Sequence, residues 1–168
     1  MNNGSNTQVS LTVNNNSILT GYTRTAASEL MYIYYSGGSS LGSSTQTFSG
    51  NTFSNIQSTT SGSGAFYGIY TSDGATSPYP KKEFFNNTFS NINYNTTGTM
   101  YLLYSSYLGD GGTSAGTSIF NNTFSNITSS GIVYCLNTTG TASPTYAPLI
   151  YGNSCSGITT NGAASSVY

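Results

Sequence analysis

The chain has 168 residues, of which only 4% are charged: three Lys or Arg, four Asp or Glu, and no His. So few cations exclude a phosphate-binding surface, and the length suits one domain. No segment is long and apolar enough for a transmembrane helix. We therefore expect neither a nucleic-acid partner nor membrane insertion by this chain.

A seven-residue word recurs every 31 to 36 residues. It reads GNTFSNI from Gly50, NNTFSNI from Asn86 and Asn121, GNSCSGI from Gly152, and NNSILTG in a diverged copy from Asn15. A period of this length is typical of solenoids, whose units bury their apolar sides by stacking. We predict one domain over residues 1–168 with five repeats, at about 8–35, 45–71, 82–105, 117–137 and 147–168.

Each repeat begins with two predicted strands joined at a corner. The first strand carries an apolar column of Val13, Phe48, Phe84, Ile119 and Ile150. Every corner contains an Asn, for which we expect a left-handed backbone and an amide bonded to the next coil: Asn16, Asn51, Asn87, Asn122 and Asn153. The second strand carries Ile18, Phe53, Phe89, Phe124 and Cys155, followed three residues later by Gly21, Ile56, Ile92, Ile127 and Ile158.

A third predicted strand follows a polar loop and has a tyrosine in every repeat: Tyr32, Tyr67, Tyr101, Tyr134 and Tyr168. Strand alternation would place Met31, Ile33 and Tyr35 on one face and Tyr32 and Tyr34 on the other, so both faces are apolar. We expect a loop, another subunit or a ligand to cover the outer face. Stacking on sugar rings is one such role, with Tyr35, Tyr70 and Tyr104 as candidate glycan contacts.

Three short strands per repeat, rich in β-branched and aromatic residues, predict an all-β parallel β-helix with about five coils. Like residues would then stack into ladders about 4.8 Å apart. The predicted core ladders are Phe53, Phe89 and Phe124; Ile56, Ile92 and Ile127; and Phe48, Phe84 and Ile119. The alternative is an antiparallel sandwich.

The words Phe48-Ser-Gly-Asn51 and Phe84-Phe-Asn-Asn87, with the glycine-containing words Gly62-Ser-Gly-Ala-Phe66 and Ser130-Gly-Ile-Val133, carry a family resemblance. They resemble the FxxN and GGA[ILV] repeats of polymorphic outer-membrane proteins and related surface β-helices. The glycine word departs from that pattern, because it is never a true GGA. The resemblance implies a right-handed solenoid with an extracellular adhesive or structural role.

Catalytic chemistry has few candidate residues. Asp73 and Asp110 lie in Gly-rich loops of adjacent repeats, where they would either bind a cation or activate water, as in a polysaccharide-degrading enzyme, or serve as ordinary turn residues. The second interpretation is favoured. Without His, neither a Ser-His-Asp triad nor a typical zinc site can form. We expect no enzyme activity, no cofactor and no metal.

The remaining charged residues are predicted to be solvated surface clusters. One contains Lys81, Lys82 and Glu83, and the other contains Arg24 and Glu29.

The two cysteines, Cys135 and Cys155, occupy apolar columns on different strands, which favours two buried thiols over a disulfide. Asn-x-Ser/Thr triplets are compatible with secretion and give candidate glycosylation sites at Asn86, Asn95, Asn121, Asn126 and Asn137.

The repeats also suggest how the protein assembles. The chain opens on a predicted first strand at residues 8–13 and closes on a third strand at 164–168, with no capping helix. Bare solenoid ends associate readily. We therefore expect a structural subunit of an extracellular or cell-surface fibre that polymerises head to tail, with lateral contacts and glycans as further partners. The alternative is an excerpt of a larger adhesin or carbohydrate-binding solenoid.

Overall fold

The fold is given by a computed structural model that describes residues 2–3, 10–27, 30–37, 44–72, 80–106, 116–139, 147–162 and 166–168. The described residues contain no helix and form sixteen strands. In chain order they are β1 (Asn2–Asn3), β2 (Leu11–Asn14), β3 (Ser17–Ile18), β4 (Tyr22–Ala26), β5 (Met31–Ser36), β6 (Thr45–Ser49), β7 (Thr52–Thr60), β8 (Phe66–Thr71), β9 (Lys81–Phe85), β10 (Thr88–Asn93), β11 (Met100–Ser106), β12 (Ser118–Phe120), β13 (Thr123–Ser129), β14 (Val133–Thr139), β15 (Leu149–Tyr151) and β16 (Ser154–Thr160).

The strands form three sheets in which every pairing is parallel. Sheet 1 has the order β2-β6-β9-β12-β15, sheet 2 has β3-β7-β10-β13-β16 with β4 also paired to β7, and sheet 3 has β1-β5-β8-β11-β14. Equivalent strands of successive repeats are therefore neighbours. This confirms the predicted all-β parallel solenoid, and the antiparallel sandwich was wrong.

The interior is built from in-register apolar columns. Phe89 pairs with Phe53 on one side and Phe124 on the other, with ring centroids 5.3 and 5.4 Å apart. All nine predicted core residues are at most 4% exposed. Burying one such side chain contributes about 2–3 kcal/mol, so these columns are the main apolar stabilisation of the coils.

At the start of the chain, one strand was missed and one column position was misplaced in the prediction. Strand β1 precedes the first strand of sheet 1 and pairs with β5 in sheet 3; its Asn-Asn sequence has no apolar pattern that predicts a strand. In sheet 2, Tyr22 rather than Gly21 pairs with Ile56. The first repeat therefore contains one extra residue, and Gly21 absorbs it with a φ of 94°.

The left-handed corner residue is not the one that was predicted. Positive φ occurs at the residue before each ladder Asn: Asn15, Gly50, Asn86, Asn121 and Gly152. Gly and Asn tolerate this conformation best, which explains the repeated GN and NN pairs. The first member of each pair makes the turn, and the second points its amide inward.

The predicted surface cluster around Lys82 was also wrong. Phe84 points into the core, so strand alternation turns Lys82 inward and Lys81 and Glu83 outward. Lys82 is fully buried, and its Nζ donates to the carbonyl of Ser106 at 2.5 Å. Lys81 and Glu83 lie at the surface as predicted, where they form an ion pair.

The cysteines form a disulfide, so the prediction of separate thiols was wrong. Cys135 lies in β14 of sheet 3, and Cys155 lies in β16 of sheet 2, in register with Phe124. Their columns belong to different sheets, but both turn toward one interior. Residues of adjacent coils therefore meet across the core, and the bond ties the last strand of sheet 2 to sheet 3.

Candidate functional site

Tyrosine side chains cover much of the outer surface of sheet 3, which we call the tyrosine face. One ladder runs through every repeat, with ring centroids of 4.9 to 5.0 Å and interplanar angles of 9° to 17°. A second, shorter ladder lies beside it, with centroids of 5.3 and 4.8 Å. The tyrosine face consists of Tyr32, Tyr67, Tyr101, Tyr134 and Tyr168 in the first ladder and Tyr35, Tyr70 and Tyr104 in the second.

An irregularity in the third strand brings both ladders to the surface. In β11, Tyr101 and Tyr104 face outward, whereas Leu102 and Leu103 between them are both fully buried. The neighbouring strand has Gly68 at this point, where a Cβ would overlap the carbonyl oxygen of Leu102. The close backbone approach therefore requires glycine there.

Simple alternation was consequently the wrong expectation for this strand. In β5, Tyr34 is 4% exposed and packs edge-on against Phe48, while Tyr32 and Tyr35 both lie on the outer face. The strand has one apolar inner face and one aromatic outer face.

The two ladders contact each other edge to face. Tyr67 meets Tyr70 at 5.0 Å and 82°, and Tyr101 meets Tyr104 at 5.4 Å and 80°. Burial raises the pKa of Tyr67 to about 12, with neighbouring tyrosines adding to the effect. Burial likewise raises the pKa of Tyr32 and of Tyr101. These phenols therefore stay protonated at neutral pH.

Stacking restricts what the tyrosine face can bind. Tyr70 lies between Tyr35 and Tyr104, with 6° between the ring planes on each side. Both faces of its ring are covered, and a sugar that stacks on an aromatic ring needs an open face. The three candidate glycan contacts lie together, but Tyr70, the middle one, offers a glycan only its ring edge and hydroxyl.

The corner asparagines form a hydrogen-bonded ladder inside the solenoid. Asn87 Oδ1 accepts from the backbone N–H and the Nδ2 of Asn51, at 3.1 and 2.8 Å. Its Nδ2 donates to Asn122 Oδ1 and to the carbonyl of Phe48, both at 2.9 Å. Every hydrogen-bonding position of this fully buried amide is filled. Asn51 and Asn122 repeat the arrangement.

This ladder has a direction, and its two ends differ. We call the edge containing β2 and β3 the first end, and the edge containing β15 and β16 the last end. No described residue donates to Oδ1 of Asn16 at the first end. At the last end, the backbone N–H of Asn153 finds no acceptor within the described ranges. The first end therefore offers an acceptor and the last end a donor.

Sheet 3 is also complementary at its two ends. At the first end, Asn2 and Asn3 occupy the columns of Tyr35 and Ser36. At the last end, Val167 lies in the column of Val133, and Tyr168 stacks on Tyr134. The described residues at the two ends thus occupy different columns of the third strand.

Apolar side chains are exposed at both ends, and in the first coil Leu19, Tyr22 and Leu30 are 54%, 43% and 52% exposed. At the last end, Leu149, Ile150 and Tyr168 are 60%, 48% and 65% exposed. At the first end, a cavity of about 290 Å³ lies among the short side chains of Val13 and Ile18, which occupy the columns filled by Phe in later repeats. Both ends therefore expose apolar side chains, and the first end also has an incompletely filled core.

The candidate glycosylation sites differ in accessibility. Asn86, Asn121 and Asn126 are exposed. Asn95 is partly buried and accepts a hydrogen bond from Ser130, and Asn137 has a buried Oδ1.

The candidate catalytic carboxylates Asp73 and Asp110 lie outside the described residues, as does Glu29 of the predicted surface cluster. Within the described ranges, no three His, Cys, Asp or Glu side chains lie close enough together to hold a metal ion. Arg24 donates to the hydroxyl of Tyr94 at 3.1 Å.

Sequence reasoning missed an aromatic column on the outer face of sheet 1. Phe85, Phe120 and Tyr151 stack with centroids of 4.9 and 5.1 Å. The pattern was visible as the residue after the inward column, since alternation turns that residue outward. This stack adds a second aromatic strip to the surface.

The part of the chain that the structure describes contains no helix long and apolar enough to span a bilayer. Comparison with protein-family models, characterised proteins and solved structures gives no match to this chain.

Proposed function

We propose that the protein is a structural subunit of an extracellular or cell-surface filament in which β-solenoids stack head to tail. The polarity of the asparagine ladder carries this proposal. A second copy placed on the last end would bring its Asn16 Oδ1 to the N–H and Nδ2 of Asn153, as in every internal step of the ladder. A head-to-head contact would oppose two acceptors.

Two further features support the same contact. Exposed Leu149 and Ile150 would be covered by the sheet of the next copy, which removes apolar surface from water. Val167 and Tyr168 of one copy and Asn2 and Asn3 of the next would share one strand layer. Such a heterologous contact does not close and produces a fibre.

The coil count and hand belong to the same proposal. Sheets 1 and 2 each contain five strands along their main path, one for each repeat, which supports five coils. Parallel crossover connections are right-handed in nearly all proteins, which supports a right-handed solenoid. A subunit of five coils advances about 24 Å along the fibre at about 4.8 Å per coil.

Sedimentation velocity over a range of concentrations, with electron microscopy, tests the assembly. We expect fibres with an axial repeat of about 24 Å. Ile150→Asp places a charge in the contact and should leave the protein monomeric. Asn93→Asp introduces the same charge on an exposed lateral position and should leave fibres intact. A wild-type protein that stays monomeric at every concentration refutes the proposal.

A larger surface adhesin is the second candidate, because a further coil would cover Leu149 and Ile150 equally well. The adhesin role is supported by the hydroxyl groups at the ring edges of the tyrosine face, which could hydrogen-bond to a glycan. Glycan-array binding by the monomer, reduced in Tyr70→Phe and unchanged in Tyr151→Phe, would favour it over the filament. Exposed Asn86, Asn121 and Asn126 are compatible with either extracellular role.

A further inference from the structure

The tyrosine face contains many closely spaced phenols that have no part in the proposed head-to-tail contact. Its rings contact neighbours both along and between ladders, with centroids no more than 6.0 Å apart. From these contacts we infer that the tyrosine face is a site of oxidative cross-linking, where a peroxidase with hydrogen peroxide couples tyrosines of adjacent coils to dityrosine.

The reaction needs two phenols in contact. Each loses its hydroxyl proton and one electron, which gives a phenoxyl radical with spin on the ring carbons next to the oxygen. Two such carbons form one C–C bond, and their hydrogens shift to the oxygens to restore both phenols. Hydrogen peroxide accepts the two electrons and two protons and becomes two water molecules.

The structure removes the step that normally limits this coupling, the encounter of two radicals. Tyr67 and Tyr101 are stacked at 4.9 Å with 9° between their planes, so equivalent ring carbons lie one coil spacing apart. Tyr70 and Tyr104 are stacked at 4.8 Å. Reactants held in contact gain the usual advantage of an intramolecular reaction, and reorientation of the partly exposed rings is then needed to bring two ring carbons to bonding distance.

The composition directs oxidation to these rings. The chain contains no Trp and no His, and both cysteines are in the disulfide. Of the three methionines, Met100 is fully buried, Met31 is partly buried against the core, and Met1 lies outside the described residues. An oxidant that removes single electrons therefore meets tyrosine as its main accessible target.

Links between copies are expected as well, and this part rests on the proposed function. In a stacked fibre, Tyr168, which is 65% exposed at the last end, would lie one coil from Tyr32 of the next copy. Oxidation would then join subunits covalently along the first ladder.

The test treats the dilute native protein with a haem peroxidase and limiting hydrogen peroxide. Dityrosine fluorescence and peptide mass spectrometry should show links, each lacking two hydrogen atoms, between Tyr67 and Tyr101 and between Tyr70 and Tyr104. The double variant Tyr101→Phe/Tyr104→Phe keeps the rings but removes the phenols, and should lose both links while retaining Tyr32–Tyr67 and Tyr35–Tyr70. Circular dichroism verifies that this variant stays folded.

Tyr151→Phe is the matched control, because Tyr151 is 54% exposed but stacks on Phe120, which has no hydroxyl. It should not change the yield. Equal yield from the urea-denatured chain, or links spread evenly over all tyrosines, would overturn the inference. Links within the chain but none between copies would uphold it and count against the filament. Fibres that form without any dityrosine after oxidation would support the filament and overturn the cross-linking inference.

Discussion

Replacing Asn87 by Ala should be one of the most damaging single substitutions in the protein. The side chain is fully buried and takes part in four hydrogen bonds, two as donor and two as acceptor. Its removal leaves the buried backbone N–H of Asn51 without its acceptor and the carbonyl of Phe48 without this donor. Each unsatisfied buried group costs about 1–3 kcal/mol, so we expect a loss of about 2–6 kcal/mol.

The assay is urea unfolding followed by circular dichroism, with the midpoint shift converted at a common slope. Asn93→Ala is the matched control, since Asn93 is exposed at the end of β10, the strand that Asn87 immediately precedes, and the structure gives its side chain no hydrogen bond to a described residue. That variant should change the free energy of unfolding by no more than about 0.5 kcal/mol. If the two variants lose equal stability, or Asn87→Ala loses under about 1 kcal/mol, the buried ladder does not stabilise the coils as argued.

Phe89→Ala should lower the free energy of unfolding by about 3–5 kcal/mol, because Phe89 is fully buried, and a loss under about 1 kcal/mol in urea unfolding would contradict its place in the core. The pKa of Tyr67 is about 12 in the folded protein and 10.0 for an ordinary tyrosine, as in the unfolded chain. The contribution of Tyr67 to the free energy of unfolding should therefore be constant below about pH 10 and fall from there to about pH 12. Tyr67→Phe should weaken that alkaline loss and Tyr151→Phe should not, as measured by unfolding at a series of pH values. Reducing the Cys135–Cys155 bond, which closes a 20-residue separation, should cost about 3 kcal/mol, and equal urea midpoints with and without reductant would exclude this.

Much of the fold could be predicted because the sequence is nearly periodic. Columns read from the repeated word, such as Phe53 with Phe89 and Phe124, coincide with the strand registers. Parallel stacking imposes this correspondence, since a register error would misplace every side chain at once.

The failures occurred where local geometry departs from the simple period. The left-handed residue before each Asn, the extra residue ahead of Tyr22 and the step at Gly68 are backbone features that periodicity does not encode. Lys82 was misplaced because charge was given more weight than alternation, although Phe84 two residues later fixed its direction. The disulfide required knowing that two sheets face one interior.

The ends of the ladder lie beyond what sequence reasoning could reach. That Asn16 offers an acceptor and Asn153 a donor follows from the direction of individual hydrogen bonds. The repeated Asn predicts a ladder, but both hydrogen-bond directions are compatible with the same column.

The near-identity of the repeats also creates a hazard during folding. The words beginning at Asn86 and Asn121 are the same for seven residues, so a nascent strand that skips one coil would find almost the same partners. Such a slip would be a kinetic trap rather than a clash. Cys155 interrupts the Phe column in one repeat and bonds to Cys135, so oxidation singles out one pairing among look-alike neighbours. The disulfide would thus fix the register of the last coil, which the repeated words alone do not determine.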